Sequence, residues 1–409
     1  MKILVLDGHQ NQAVASVRSL ARAGHEVSVG ESDTWSKAAW SRYSSGRLQY
    51  PAPRENAGAF IAKLGEFVRR AAGTLVLPMT EATTLPISQH RDILLAAGAR
   101  LVLPDHQDLL RAFNKDASTQ LAASLGMATP KTVVVMSREQ ARDLAVSTAY
   151  PVVLKPRASE ELSSSGSVRT GGRPQYANSP EQFEAAYRDI SSRCAAVLVQ
   201  EFIPGEGTGY FALLNHGELR AEFAHRRIRD VHPTGSGSSL RESISPDPEI
   251  RQCSLALLRA LKWHGVAMVE FRRSAGVPVF MEVNGRFWNS LALACYSGVD
   301  FPAMLAHLAE HGDVPAVDSY RTGVRCRWLL GDFRHLIEVW KGPPSGYPET
   351  YPGRWRTVLE VLAPVPGTYH DLFQWRDPLP ELGDWINIGG RLAALGNAKK
   401  TSEDGIGKP

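Results

Sequence analysis

The sequence predicts a protein of mixed α/β and α+β class, with an open, doubly wound sheet at the N-terminus followed by two lobes that combine helices with antiparallel strands. Three patterns predict this. Strands alternate with helices over the first hundred residues, short strands flank a Ser/Gly-rich stretch, and strands return after residue 209. A chain of 409 residues is too long for one ordinary core and should hold roughly two to four domains.

The first hundred residues have a βαβ rhythm. An apolar strand at 2–6 ends before Gly8, and an amphipathic helix at 11–23 is followed by Gly24, a residue typical of helix C-termini. Further strands are expected at 26–30, 74–78 and 101–104, with helices at about 55–71 and 86–97. Continuous apolar strands are typical of a parallel sheet that is covered on both faces. We assign residues 1–110 to this domain.

Residues 111–200 predict a small α+β lobe after a helical stretch at 106–126. The expected elements are strands at 132–135, 152–155 and 196–200, and a helix at about 180–190. Between them, Ser159–Gly172 is rich in Ser and Gly and has no apolar period. That composition predicts a mobile loop.

Residues 201–312 predict a larger lobe. Its expected strands are 210–214, 219–224, 266–272 and 279–283, and its expected helices are about 249–263 and 300–312. Residues 313–409 form a C-terminal extension that is rich in Pro, Gly and Trp and carries no motif. Its polar end, 397–409, is expected to be disordered.

Composition narrows the classes of function. Hydrophobic residues make up 43% and charged residues 22%, and the net charge is only +4, so nucleic acid is not an expected partner. The four cysteines lie far apart without metal-ligand spacing, which indicates free thiols in a reducing compartment. No apolar run approaches the ~18 residues of a membrane span, and the N-terminal run is too short for a signal peptide. We expect a cytoplasmic protein without a membrane partner.

Two carboxylates lie inside apolar strands, where burial without a partner is costly. Glu270 and Glu282 flank a tight turn near Ser274–Pro278, so the strands should form a hairpin with both side chains on one side. Asn284, two residues beyond Glu282, shares that side. Oxygen donors of this kind suit Mg²⁺, and Arg286 beside them can hold a phosphoryl group. The alternative is that each glutamate pairs with an arginine on an exposed sheet face.

Two lysines and a strand end complete the pattern. Lys155 ends an apolar strand and Lys115 opens a helix. Each lysine could bind an anion. Alternatively, Lys155 could extend its ammonium group to water, and Lys115 could lie on a solvated helix face. The strand that ends in Gln200–Gly205 can offer backbone groups to the edge of a base, with Glu206 next to it. Alone, this last feature is more typical of a plain strand and turn.

Taken in order, Lys115, Lys155, the 200–205 strand end, Glu270 and the 281–286 segment resemble the ATP-grasp superfamily. The resemblance spans roughly residues 105–312 and implies a nucleotide cleft between two lobes, behind an N-terminal preATP-grasp domain. Within the superfamily, Met281–Ser290 followed by Gly298–Pro302 is similar to the carboxylate–amine ligase branch, which is related to carbamoyl-phosphate-synthase-like proteins.

The resemblance implies a role for each residue of the pattern. Lys115 and Lys155 would bind the α- and β-phosphates of ATP, and Ser164 and Ser165 would close over these phosphates. Adenine would be bound by Glu201 and the backbone of Phe202 and Ile203, with Met281 against the purine face and Glu206 at the ribose. Two Mg²⁺ would be bound by Glu270, Glu282 and Asn284. The loop of Ser164 and Ser165 is Ser-rich where many relatives are Gly-rich. No Walker A or GxGxxG motif offers another nucleotide site.

An anion site for the substrate is expected from a second group of residues. The strand His225–Arg229 carries arginines, and a Gly/Ser stretch and Arg241 follow it. We expect Arg226 or Arg241 to orient the substrate carboxylate and, with Arg286, the transferred phosphoryl group. The alternative is an exposed basic strand with a flexible connector.

The function implied is an ATP-dependent carboxylate–amine ligase that acts through an acyl phosphate and releases ADP and phosphate. Small-molecule acids and amines, such as amino acids or a short peptide, would be its substrates, and a homodimer is compatible with this reading. Two alternatives stay open: the same fold with a thiol acceptor or bicarbonate as substrate, and a non-catalytic ATP-binding module.

Overall fold

The computed structural model of the protein describes residues 1–162 and 167–387. Within these ranges the strands form four sheets. The predictions for Ser164, Ser165 and the 397–409 tail lie outside the described residues.

The N-terminal region is the predicted doubly wound domain. Its elements are β1 (Lys2–Val5), α1 (Asn11–Arg22), β2 (Glu26–Glu31), β3 (Gly46–Gln49), α2 (Ala57–Arg70), β4 (Leu75–Leu77), α3 (Glu81–Gln89) and α4 (Arg91–Ala96). The four strands are parallel, in the order β3-β2-β1-β4. The strand predicted at 101–104 is wrong: Arg100 makes one isolated bridge to Leu75, and Pro104 has no backbone N–H with which to extend the pairing.

The small lobe contains a four-stranded antiparallel sheet with helices on one face. The elements of this part are α5 (His106–Phe113), α6 (Lys115–Ser124), β5 (Thr132–Val135), α7 (Arg138–Ser147), β6 (Val152–Pro156), β7 (Glu160–Leu162), β8 (Val168–Thr170), β9 (Gln175–Ala177), α8 (Pro180–Ser191) and β10 (Val197–Glu201). The sheet order is β5-β10-β6-β9. The stretch predicted as a loop at 159–172 contains the two strands of a hairpin, β7 and β8.

The largest sheet has seven strands, in the order β15-β14-β11-β12-β13-β16-β17. The elements of this part are β11 (Glu206–Asn215), β12 (Glu218–His232), β13 (Ser236–Ile244), α9 (Pro248–Ala260), β14 (Gly265–Ser274), β15 (Val277–Asn284), α10 (Leu291–Ser297), α11 (Phe301–His311), β16 (Arg325–Arg327), α12 (Leu329–Lys341), α13 (Arg354–Leu362) and β17 (Thr368–His370). The Gly/Ser stretch read as a connector is therefore a strand. The C-terminal extension adds β16 and β17 to the same sheet, and the proposed domain boundaries remain a prediction.

The seven-stranded sheet has an apolar cluster on each face. On one face Phe211 packs against Trp288 and the N-terminal domain; on the other, Tyr210 packs with Trp263 and Phe280. Both clusters hold the sheet between helices and leave one end of it facing the small lobe. Among the described residues no single helix is long and apolar enough to cross a membrane; α10 and α11 would qualify only as a pair bent by 85°.

The C-terminal segment is fastened to the N-terminal domain by buried ion pairs. Arg18 Nε lies 2.8 Å from Asp377 and Lys37 Nζ lies 2.7 Å from Asp384, and all four side chains are buried. Losing one member of such a pair leaves an uncompensated charge, which typically costs about 3–5 kcal/mol. The extension, which also adds β16 and β17 to the large sheet, thus fixes the N-terminal domain against that sheet.

Candidate nucleotide and acyl-transfer site

The β14–β15 hairpin brings the two predicted carboxylates to one face. Glu270 is paired directly across the strands with Glu282, and Met268 with Asn284. Directly opposed residues of an antiparallel pair share a face of the sheet. The Asn284 Nδ2 donates to Glu282 Oε1 at 3.2 Å. The predicted hairpin and its shared face are confirmed.

Lys115 reaches this face from the start of α6. Asn114 caps the helix by accepting from the backbone N–H groups of Asp116 and Ala117, and the Lys115 N–H donates to the carbonyl of Arg157 at 3.0 Å. These bonds anchor the helix start beside β6. The Lys115 Nζ then lies 3.4 Å from Glu282 Oε2.

Lys155 lies on β6 in the small lobe, opposite the hairpin. Burial and the nearby charge of Lys115 lower its pKa to about 8, against the opposite effect of Glu282 and Glu270. Burial would raise the pKa of Glu282, but Lys115 and Lys155 lower it to about 2. Glu282 is therefore ionised throughout the physiological pH range. The two lysines near it could bind a further anion.

A cleft of about 140 Å³ opens between the small lobe and the hairpin. Its walls include the predicted Glu201, Phe202, Ile203, Met281, Lys155, Glu270 and Glu282. Arg272 crosses its end, donating to the carbonyls of Ile203 at 2.9 Å and Thr234 at 3.1 Å. The Glu201 carboxylate accepts from the Lys131 N–H at 3.0 Å, so its side chain is held at the strand end.

A second cavity, of about 310 Å³, lies between the hairpin and the N-terminal domain. Glu282, Asn284, Arg286 and Asn289 line it from one side, and loops of the N-terminal domain with β7 line it from the other. The Arg286 guanidinium donates to Asn284 Oδ1 at 3.1 Å. Glu282 lines both this cavity and the cleft, so the two spaces meet at its carboxylate.

Glu81 is a buried acid in the wall of the second cavity. Its carboxylate lies 3.9 Å from the Arg286 guanidinium. Burial raises its pKa, while Arg286 acts in the opposite direction. The cavity thus holds both signs of charge, which suits a small polar substrate.

The comparisons with known proteins agree with this geometry. A family model described as "ATP-grasp in the biosynthetic pathway with Ter operon" matches residues 193–331. Residues 193–331 of this chain are thus similar to ATP-grasp proteins. No curated protein is detectably similar in sequence.

Solved structures share the ATP-grasp fold at low sequence identity. A biotin carboxylase complex from Campylobacter jejuni has a TM-score of 0.62 at 16% identity, covering 79% of this chain and 74% of that one. An L-amino acid ligase from Bacillus licheniformis has 0.57 at 15%, covering 76% and 74%. N5-carboxyaminoimidazole ribonucleotide synthetase from Thermus thermophilus has 0.59 at 16%, covering 79% and 82%. These likenesses show the fold.

Arg226 and Arg241, which were predicted to bind the substrate carboxylate, line neither the cleft nor the second cavity. Arg226 has a 59% exposed side chain that pairs with Glu242. Arg241 is fully buried and pairs with Asp371 of the C-terminal segment. The structure thus corrects both expectations, because strand alternation turns Arg226 to the reverse face and the C-terminal segment covers Arg241.

Glu206 also lies away from the cleft. It lines a separate pocket with Arg226, Asp247 and Arg273. The next residue on β11, Gly207, is on the face of Arg227: a Cβ at Gly207 would lie 2.8 Å from an Arg227 guanidinium nitrogen. Glu206 therefore lies on the opposite face of the strand. The predicted ribose contact from Glu206 is therefore not supported by its position.

Sequence reasoning missed two arginines of the site. Arg227 donates to Glu270 Oε1 at 2.9 Å from a side chain that is 9% exposed, and Arg272 lies beside Phe202. Strand alternation placed Arg272 on the face of Glu270, two residues earlier, so that signal was present in the sequence. Which of Arg226 and Arg227 faces Glu270 depends on the register of β12, and the sequence does not specify that register.

The side chains of the hairpin carry the type of ligand atom that magnesium prefers. Glu270, Glu282 and Asn284 offer only oxygen atoms from one sheet face, which is the ligand chemistry Mg²⁺ prefers. Within residues 1–162 and 167–387 there is no cluster of three or more His, Cys, Asp or Glu side chains that forms a metal site unaided. Nucleotide phosphates and water would have to complete the coordination, as Mg²⁺ commonly requires.

Proposed function

We propose that the protein is an ATP-dependent ligase that activates a carboxylate as an acyl phosphate and transfers the acyl group to an amine. One observation carries the proposal: Glu282 forms part of the wall of both the cleft and the second cavity. A nucleotide in the cleft would therefore point its terminal phosphate toward a substrate in the cavity. The likeness to an L-amino acid ligase supports an amine acceptor.

Each side of the cleft has a role in the proposed reaction. Lys115 and Lys155 would bind the phosphates, and the 201–203 strand end with Met281 would hold the base. Glu270, Glu282 and Asn284 would hold Mg²⁺, which would neutralise phosphate charge when bound. Arg286, at the boundary with the second cavity, would stabilise charge on the transferred phosphoryl group.

The chemistry takes two steps. A carboxylate oxygen of the substrate attacks the γ-phosphorus, the bond between that phosphorus and the β–γ bridging oxygen breaks, and ADP leaves. An amine then attacks the acyl carbon, phosphate leaves with the bond electrons, and the amine loses a proton.

Hydroxylamine tests the proposed route. Incubation with Mg-ATP, hydroxylamine and a panel of amino acids and other small carboxylic acids should give a hydroxamate and ADP in equal amounts with at least one acid. Release of AMP and pyrophosphate would contradict the acyl-phosphate route. ADP release that requires a thiol or bicarbonate, without hydroxamate, would favour the other substrate classes.

The pKa of Lys155 predicts a pH dependence for ATP use. With a pKa of about 8 in the free protein, Lys155 is charged below pH 8 and neutral above it. We expect kcat/KM for ATP to fall about tenfold per pH unit above pH 8, while kcat at saturating ATP changes less because bound phosphate stabilises the charged lysine. Steady-state kinetics between pH 7 and 10 measures this.

The matched control is Lys155→Arg. Arginine stays charged over this range, so the decline above pH 8 should disappear even if the absolute rate falls. A decline that persists unchanged in Lys155→Arg would assign the titration to another group.

A further inference from the structure

An apolar surface covers the outer side of the C-terminal extension. On α12, Phe333, Ile337 and Trp340 follow the i, i+4, i+7 spacing of one helix face, and all three are exposed. On α13 the same spacing recurs at Trp355, Leu359 and Leu362, which are 76%, 71% and 73% exposed. These six residues and Trp385 are called the α12–α13 face below.

The α12–α13 face is continuous. The rings of Trp340 and Trp355 lie 5.6 Å apart and join the two helices. At the other end of α12, the rings of Phe333 and Trp385 lie 5.5 Å apart. The seven side chains therefore form one surface, in which tryptophans from three segments take part.

The size of the face indicates a protein partner. Seven half-exposed large side chains, at about 100 Å² each, present about 700 Å². The largest apolar patch on a typical monomer is about 300–600 Å², whereas each partner of a stable complex buries about 800 Å². Surface tryptophans of this kind are also the residues that dominate binding energy in interfaces.

The charges around the face favour protein over lipid. Lys341 lies 3.0 Å from Glu338, and Arg356 lies 2.7 Å from Glu360. Arg354 donates to the carbonyl of Trp340 at 3.0 Å. Anionic membranes attract surfaces with a surplus of free positive charge, and here the cations are engaged within the chain.

We propose that the α12–α13 face is the interface of a homodimer, in which it packs against the same face of a second copy about a two-fold axis. An isologous interface needs a self-complementary surface. The two apolar stripes, with paired charges beside them, meet that requirement.

A chain of contacts links α12 to the nucleotide cleft. His335 on the inner side of α12 contacts the carbonyl of Asp230 at 2.6 Å. The Asp230 carboxylate lies 3.9 Å from Arg227, which holds Glu270. Packing of α12 against a second copy would thus support the strand that positions the metal-facing carboxylate.

Light scattering of the full-length chain tests the proposal. We expect a mass of twice 44.7 kDa over a wide concentration range. Leu359→Glu and Trp355→Glu should each shift the protein to the monomer, because each places a charge in the centre of the interface. Both positions are exposed in the single chain, so the variants should keep the circular dichroism of the parent. Val146→Glu, at an exposed position on α7, is the control and should leave the mass unchanged.

Three outcomes would overturn the dimer. The first is a full-length chain that is monomeric at every concentration. The second is a dimer whose mass neither Leu359→Glu nor Trp355→Glu reduces. The third is a monomer that sediments with phosphatidylserine vesicles but not with phosphatidylcholine vesicles, which would assign the face to a lipid surface. None of these readouts depends on enzymatic activity, so failure of the ligase proposal would leave the dimer test intact.

Discussion

Glu282→Gln should reduce ATP turnover by at least about 100-fold while leaving the fold intact. Glutamine keeps the shape and the hydrogen bond with Asn284 but removes the charge that faces Lys115 and would face Mg²⁺. A group that stabilises charge in a transition state typically contributes a factor of 10²–10³, about 3–4 kcal/mol. ADP release in the presence of the hydroxamate-forming acid measures the loss.

Glu218→Gln provides the control for charge alone. Glu218 is an exposed glutamate at the start of β12, far along the same sheet, and its substitution should leave turnover within about twofold. Both variants should keep the circular dichroism spectrum of the parent. Near-normal ADP release by Glu282→Gln would remove Glu282 from the proposed chemistry.

The fold was predictable wherever local pattern determines it. Apolar strands and Gly-ended helices identified the parallel N-terminal sheet, and the turn at 274–278 identified the β14–β15 hairpin. The predictions failed where pairing partners decide the outcome. The Gly/Ser stretch after His232 is a strand because β12 and β16 pair with it on both sides, and β16 comes from a region where the sequence showed no motif.

The candidate site was predictable to the same extent. Glu270, Glu282 and Asn284 share a face because the hairpin fixes their register locally. Residues that reach the site from distant strands depend on non-local register, and a slip of one residue turns a side chain to the opposite face. Arg226 and Glu206 were each one residue away from the position that faces the cleft, occupied by Arg227 and Gly207 respectively.

The C-terminal extension shows a further limit. No helix was predicted in it, although apolar residues at 333–340 and 355–362 have helical spacing. Whether such an apolar stripe faces a core or solvent depends on what packs against it. In the structure both stripes face outward. The buried acids of the same extension, Asp371, Asp377 and Asp384, pair with cations that lie 130, 359 and 347 residues away in the sequence. No local pattern predicts those pairs.

Arg227→Met should abolish activity, whereas Arg226→Met should leave it within about threefold. The two positions are adjacent in sequence and identical in chemistry, but β12 turns Arg227 toward Glu270 and Arg226 toward Glu242 on the reverse face. Removing Arg227 leaves the partly buried Glu270 without its cation, which should cost about 3–5 kcal/mol of stability if no other charge replaces it. Removing Arg226 leaves Glu242 with a second cation, Arg325 at 3.3 Å, so the loss should be only about 0–1 kcal/mol.

Comparing turnover with thermal unfolding separates the role of Arg227 in the site from its role in the fold. If Arg227 acts by positioning Glu270, then Mg-ATP should raise the unfolding temperature of Arg227→Met more than that of the parent. The reason is that the bound metal supplies the positive charge that the variant lacks. Arg227→Lys should recover part of the turnover, since it keeps the charge but loses the planar fork. Equal losses in Arg226→Met and Arg227→Met would mean that the face assignment of β12 is wrong, and with it the account of how the sheet selects which arginine serves the carboxylates.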